Sequence, residues 1–181
     1  MKGLLPFAFP LFFAGMWVGI SAIIARGSGW SALARRYPAP AEPEGERIIW
    51  TSAQLGGVSF RSCLNMTLSS SGLYLVPSRL FRLFMPPMLI PWSEIHFEGF
   101  TKLMFFELAC FRLGGADGPI FTVFTSLGAR LRQHLIEEHG RAYDMSRPYE
   151  GSLIDSRIWL IAAAAAGIGF VAAYYAATLP R

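Results

Sequence analysis

Two uncharged apolar runs close the two ends of the sequence, and they limit what the rest of it can be. Gly3 to Ala25 and Ile158 to Pro180 each hold 23 residues with no Asp, Glu, Lys or Arg. A helix needs about 20 such residues to cross the hydrocarbon of a bilayer. The pattern predicts transmembrane helices at 3–25 and 158–180, with a polar domain strung between them. These runs raise the hydrophobic content to 53%. Without them roughly 130 residues remain, enough for one domain with its own core. Pro6 and Pro10 fall in the first turns, where a missing N–H costs least. A cleaved signal peptide fits the first run less well. Its apolar stretch would be overlong, Lys2 alone would precede it, and no Ala-x-Ala site follows.

Arginines orient the runs. Arg26, Arg35 and Arg36 follow the first; Arg141, Arg147 and Arg157 precede the second; only Lys2 and Arg181 lie outside. The positive-inside rule places the central domain in the cytoplasm and both termini across the membrane. Gly15 and Gly19, then Ala165, Gly169 and Ala173, repeat the small-xxx-small spacing that lets helices approach closely in lipid. The two runs are therefore expected to pack on each other or between protomers. Trp17, Trp159, Tyr174 and Tyr175 are candidates for an aromatic belt. The formal charge of +4 is too small and dispersed to argue for nucleic acid.

Residues 28–37 read as a short interfacial helix capped by Ser31. Trp30, Leu33 and Ala34 share one face, and Arg35 and Arg36 meet headgroups while Trp30 beds in the interface. Residues 38–46, PAPAEPEG with the following Glu46, form a stiff linker without core residues. From Arg47 the period becomes two. Strands are expected at Arg47–Ala53, Val58–Leu68, Leu73–Val76, Leu80–Met85, Met88–Ile90, Ser93–Phe97, Lys102–Leu113 and Ile120–Phe124, short neighbours around the prolines belonging together. In the second, Phe60, Leu64 and Met66 should face the core, and Arg61, Asn65 and Thr67 outward. Gly114 to Gly118 makes a hairpin loop. Ser126 caps a helix that Gly140 ends. Leu127, Leu131 and Leu135 form its apolar stripe, with Arg130, Gln133 and Glu137 wet. Residues 141–157 are a second linker.

Seven antiparallel strands and one helix over 47–140 is the order of a pleckstrin-homology-like (PH-like) barrel. Within it, SGLYLVPSRLFRLFMPPMLIPWSEI (Ser71 to Ile95) resembles the Gly-Leu-Tyr-Leu … Ile-Pro-Trp-Ser-Glu-Ile stretch of bacterial PH-like and GRAM-like membrane-associated domains. More narrowly, GWSALARRYPA and PPMLIPWSEI resemble small bacterial membrane proteins carrying such a domain. The resemblance covers about half of the chain. It implies a membrane-anchored α+β architecture: two transmembrane helices flanking a seven-stranded PH-like β-barrel whose C-terminal helix plugs one open end. Taken with the orientation from the arginines, the resemblance implies a bacterial inner membrane with the central domain cytoplasmic.

No GxSxG, HExxH, P-loop or GxGxxG is present, so the sequence names no catalytic, cofactor-binding or metal residue. His134 and Glu138 stand at i, i+4, which reads as an ordinary helix contact without a third ligand. His96 and Glu98 share a strand face and read as solvated. Cys63 and Cys110 have no zinc or redox spacing and read as buried thiols. The most unusual segment is RLFRLFMPPMLIPW, Arg79 to Trp92. Either its alternate residues fill the barrel, or Arg79, Phe81, Arg82, Phe84, Met85 and Trp92 form an interaction lip. The expected function is a non-enzymatic membrane-tethered adaptor or subunit that binds a protein partner or a second copy. The alternatives are a module reading anionic lipid through Arg79, Arg82, Arg130 and Arg132, and an enzyme with an unrecognised site.

Overall fold

The computed structural model describes residues 5–103, 106–139 and 148–151, and side chains within them from Phe12 onward, except at Leu80, Leu103, Glu138 and His139. The expectations for 141–147, for 152–180 and for Gly140 lie outside the described residues. Helix α1 covers Leu5–Gly27 and α2 Trp30–Arg36. Seven strands follow: β1 Glu46–Leu55, β2 Val58–Ser69, β3 Gly72–Pro77, β4 Met88–Ile90, β5 Ile95–Leu103, β6 Phe106–Leu113 and β7 Ile120–Phe124. Helix α3, Thr125–His139, comes after them. Among the described residues from Phe12 onward, no single helix is long and apolar enough to cross a membrane. Phe12–Gly27 and Trp30–Arg36 reach that length only together, across a bend of 67°.

The strands form one antiparallel sheet in the order β4-β3-β2-β1-β7-β6-β5, curled into a half-barrel. The curl depends on β1, which pairs with β2 along its length but with β7 only over Ala53–Leu55. The β1–β2 ladder breaks register between Ile48 and Thr51 and again between Thr51 and Ala53. Bulges of this kind bend a strand and raise its twist, which lets a sheet turn a corner. Trp50 (φ 55°) and Ser62 (φ 48°) sit at these breaks in the left-handed region. For side chains this costs on the order of 1–3 kcal/mol each. Trp50 N–H donates to the Asn65 side-chain oxygen and Ser62 N–H to Ser52 Oγ, which hold the bends.

The inside of the curl is filled by Leu64, Met66, Leu68, Leu73, Leu75, Met88, Ile90, Phe111 and Phe121, all buried. Both ends are plugged. At one end Leu127, Leu131 and Leu135 of α3 are buried as the stripe requires, while Arg130, Gln133 and Glu137 stay exposed. Gly128 makes that approach possible: a Cβ there would lie 2.3 Å from the Ala109 Cβ. At the other end α2 lies over the turns of the sheet. Trp30 is fully buried against Phe60, and its indole N–H donates to the Pro86 carbonyl at 2.9 Å. Trp30 is thus a core residue and does not bed in a lipid interface, because the barrel end offers it both apolar walls and a carbonyl. Nor does Ser31 cap α2. Gly29 stands at the N-cap, and the Ser31 hydroxyl donates to the Ala25 carbonyl. At Gly56, in the β1–β2 turn, φ is 52° and a Cβ would meet the Ser28 carbonyl at 2.5 Å, so the turn can lie directly beneath the chain entering α2.

Three further expectations need correction. Leu80–Met85 is not a strand: Ser78 is followed by a 3-10 turn at Arg79–Phe81, and the chain rejoins the sheet only at Met88. Lys102–Leu113 is two strands, with Leu103 paired to Phe106 at their junction. The 38–46 stretch is not outside the core. Ala39 is buried with Tyr74 and Val76, and Glu42 accepts from the Thr67 hydroxyl at 2.8 Å. Thr67 is therefore buried rather than outward, because this stretch covers the far end of β2. The predicted inward set of Phe60, Leu64 and Met66 holds, and Arg61 is exposed.

β4 and β5, the outer strands, are not joined to each other. The chain crosses between them at Pro91–Glu94, where Trp92 is buried and its indole N–H donates to the Ser69 carbonyl at 2.8 Å. Each outer strand is flanked by a proline from elsewhere in the chain, Pro38 beside Met88 and Pro148 beside Phe100.

Candidate functional site

The lip residues divide. Arg79 and Arg82 are exposed, and Arg82 Nε donates to the Pro77 carbonyl. Phe81 is half-buried with its ring 5.5 Å from that of Trp17 in α1. Phe84 is half-buried on the core. Met85 and Trp92 are buried and belong to no exposed lip, since they fill the barrel end and its open seam. Leu83, which the sequence did not single out, is 67% exposed at the tip of the same turn. Arg130 and Arg132 do not join Arg79 and Arg82. They stand on α3 at the opposite end of the barrel, Arg130 bonded to Glu46 at 2.6 Å and Arg132 with its Nε buried.

Of the helix-packing residues, Gly15 and Gly19 have no neighbouring atom, among the described residues, within 4 Å of where a Cβ would stand. Ala165, Gly169 and Ala173 lie outside those residues. His134 stacks on Trp92, with ring centroids 5.4 Å apart and planes at 6°. Glu98 is not free in solvent: it pairs with Arg112 at 2.6 Å. Among the described residues no three His, Cys, Asp or Glu side chains are placed to hold a metal ion. Cys110 is fully buried beside Thr122, and burial pushes its pKa up to about 11 against the smaller opposing pull of the Thr122 contact. Burial also raises the Cys63 thiol. Neither is activated as a nucleophile, which needs the thiolate. The Tyr37 hydroxyl is buried without well-aligned hydrogen bonds among the described residues. Burial first, then the nearby Glu94 carboxylate, raise its pKa.

A groove of about 420 Å³ with a mixed polar and apolar lining opens on the outer face of the sheet. Strand β1 contributes Ser52 and Gln54, β2 Ser59, Arg61 and Ser62, β6 Phe106 and Leu108, and β7 Thr122 and Phe124. The volume lies within the range of about 300–1,000 Å³ usual for binding sites. The corner in β1 and β2 makes one wall, because the bulges swing Arg61 and Ser62 out of the ladder. The other wall is aromatic. Phe106 and Phe124, 59% and 43% exposed, meet edge to face at 5.7 Å. Arg61 has no ion-pair partner among the described residues. The Ser52 hydroxyl is already engaged by Ser62 N–H. The groove thus combines one unpaired cation with an exposed aromatic pair, an arrangement suited to binding an apolar side chain beside a carboxylate. Sequence reasoning missed it because its residues come from four strands. The one signal available was a pair of phenylalanines, Phe106 and Phe124, at the end of an otherwise inward pattern. Compared with protein-family models, curated proteins and solved structures, the chain matches none.

Proposed function

We propose that this chain is a non-enzymatic adaptor, tethered to a bacterial inner membrane, whose central PH-like domain holds a partner protein on the cytoplasmic side. The strand order and the apolar plug of α3 support the PH-like reading. The uncharged runs and the arginines that flank them on the side of the central domain support the tether. The observation that carries the binding role is the groove, with its exposed Phe106–Phe124 pair beside Arg61, which has no ion-pair partner among the described residues. Aromatic residues and arginine are the usual anchors of protein interfaces. Affinity capture from detergent-solubilised membranes tests it, comparing the parent chain with Arg61→Glu and Phe124→Ala. A partner recovered with the parent and lost with both variants is the expected result. A partner set unchanged by either variant would remove the groove from the function.

A further inference from the structure

We propose that the partner offers an extended segment, which adds as a strand along the open half of β1, Glu46–Thr51, with one end at the groove. This rests on the adaptor reading above and names the form in which the partner is held. β1 has ten residues, and β7 borders only Ala53–Leu55 of them. On its other side β1 pairs with β2 from Glu46 to Leu55. The sheet therefore splits at the groove. β7 ends at Phe124 and turns into α3, while β1 extends from Ala53 back to Glu46. Among the described residues, Glu46–Thr51 has no backbone partner other than β2. In a strand, successive residues turn their N–H and C=O to opposite sides, so this stretch presents a margin that another strand can pair with.

Two observations mark this margin as an interface. The chain itself occupies the outer margins of the sheet, with Pro38 beside Met88 and Pro148 beside Phe100, and among the described residues it gives this one no such guard. The strands also leave four large apolar side chains exposed among the described residues, Ile49, Trp50, Phe106 and Phe124. Ile49 and Trp50 stand on the margin, 53% and 65% exposed, and the two phenylalanines line the groove at its end together with Ser52. Trp50 holds this exposure from a left-handed backbone that the Asn65 side chain must fasten. Exposed tryptophan is a frequent anchor of interfaces. Charge decides between a partner and a second copy. Arg61 has no ion-pair partner among the described residues. A second β1 laid on this one would bring Glu46 and Arg47, whose charges are already engaged by Arg130 at 2.6 Å and Glu42 at 3.1 Å. A partner segment with a carboxylate at the end that enters the groove satisfies Arg61. A large apolar side chain beside that carboxylate meets the Phe106–Phe124 pair. The segment recognised is thus extended, acidic at one end and apolar at alternate positions.

The test pans a displayed library of random short peptides against the full chain in mild detergent, and titrates an enriched, fluorescently labelled peptide by polarisation. The enriched sequences should share a carboxylate beside a large apolar residue. Methylating the peptide's backbone nitrogens one at a time should weaken binding several-fold at every second position and little in between, because only alternate N–H groups face β1. A photo-crosslinking benzoylphenylalanine in place of Ile49 should capture the peptide. Arg61→Glu should weaken binding several-fold, with an unchanged thermal transition showing that it is folded. No enriched peptide, a methylation series without alternation, or no peptide captured at position 49 would overturn the proposal. A crosslinked dimer at 49 in place of the peptide would also overturn it and assign the margin to a second copy. Groove and margin fail separately. Peptides lost with Arg61→Glu but lacking the alternation keep the groove and overturn the added strand. Peptides that show the alternation and the crosslink but ignore Arg61→Glu keep the added strand and overturn the groove.

Discussion

Trp30→Phe separates a tryptophan that plugs a barrel from one that anchors in lipid. Trp30 is fully buried, lies 5.7 Å from the Phe60 ring, and donates its indole N–H to the Pro86 carbonyl at 2.9 Å. Phenylalanine keeps a ring in the site but removes that donor and the second ring's volume. Loss of the hydrogen bond costs about 1 kcal/mol, since exposed Pro86 leaves its carbonyl open to water. The unfilled space adds on the order of 1–2 kcal/mol. The sum of about 2–3 kcal/mol corresponds to a drop of roughly 5–10 °C in the midpoint for a domain of this size. Trp30→Ala should cost more, about 3–5 kcal/mol. The assay is thermal unfolding of the full chain in mild detergent, followed by circular dichroism of the β signal. A shift below about 0.5 kcal/mol for Trp30→Phe, within the range of surface substitutions, would refute the placement of α2 over the barrel end.

Leu131→Asp should abolish the cooperative transition, because it puts an unpaired carboxylate among the plug residues, while Arg130→Glu should leave the domain folded and lose less than about 1 kcal/mol from its exposed pair with Glu46. Gly128→Ala should destabilise by about 1–3 kcal/mol through its clash with Ala109, measured in the same melts. Thr67→Ala should cost about 1 kcal/mol rather than nothing, because Glu42 loses a donor, and Glu42→Ala should remove most of that difference in a double-mutant cycle. Cys110 has its pKa raised by folding from 9 to about 11, so its contribution is complete below pH 9 and is lost as pH rises toward 11. Stability of the parent should therefore fall more steeply across pH 9–11 than that of Cys110→Ala.

The parts legible in the sequence were those where one periodicity spoke for one neighbour. The alternation of Phe60, Leu64 and Met66 answers to a single interior, and the leucines of α3 to a single opening. Where two layers met one strand, the pattern misled. Thr67 reads as outward by parity, yet residues 38–46 lie over it, and their proline and glutamate content gave no sign of a covering role. The division of Lys102–Leu113 carries no glycine, asparagine or aspartate, so no turn signal interrupts its apolar run. Trp30 with Arg35 and Arg36 makes a convincing interfacial helix by composition, because an amphipathic face does not say whether lipid or a barrel rim will cover it. The groove was hidden for a different reason: it depends on bulges that displace Arg61 and Ser62, and a bulge breaks the very parity by which a strand is read.

The prolines beside the two outer strands bear on crowding. An open sheet exposes a row of backbone donors and acceptors at each margin, which a neighbouring chain can extend into a continuous ladder. Chains confined to one plane meet at high local concentration and with a shared orientation, the conditions under which such growth is hardest to avoid. Here Tyr37–Ala39 already occupies the β4 margin, with Tyr37 accepting from Leu89 N–H, and Tyr149 N–H occupies the Phe100 carbonyl at the β5 margin. At each site the neighbouring proline has no N–H to offer onward. At these two positions a neighbouring chain cannot simply continue the ladder, so contact there would have to run through side chains, whose specificity can be set residue by residue.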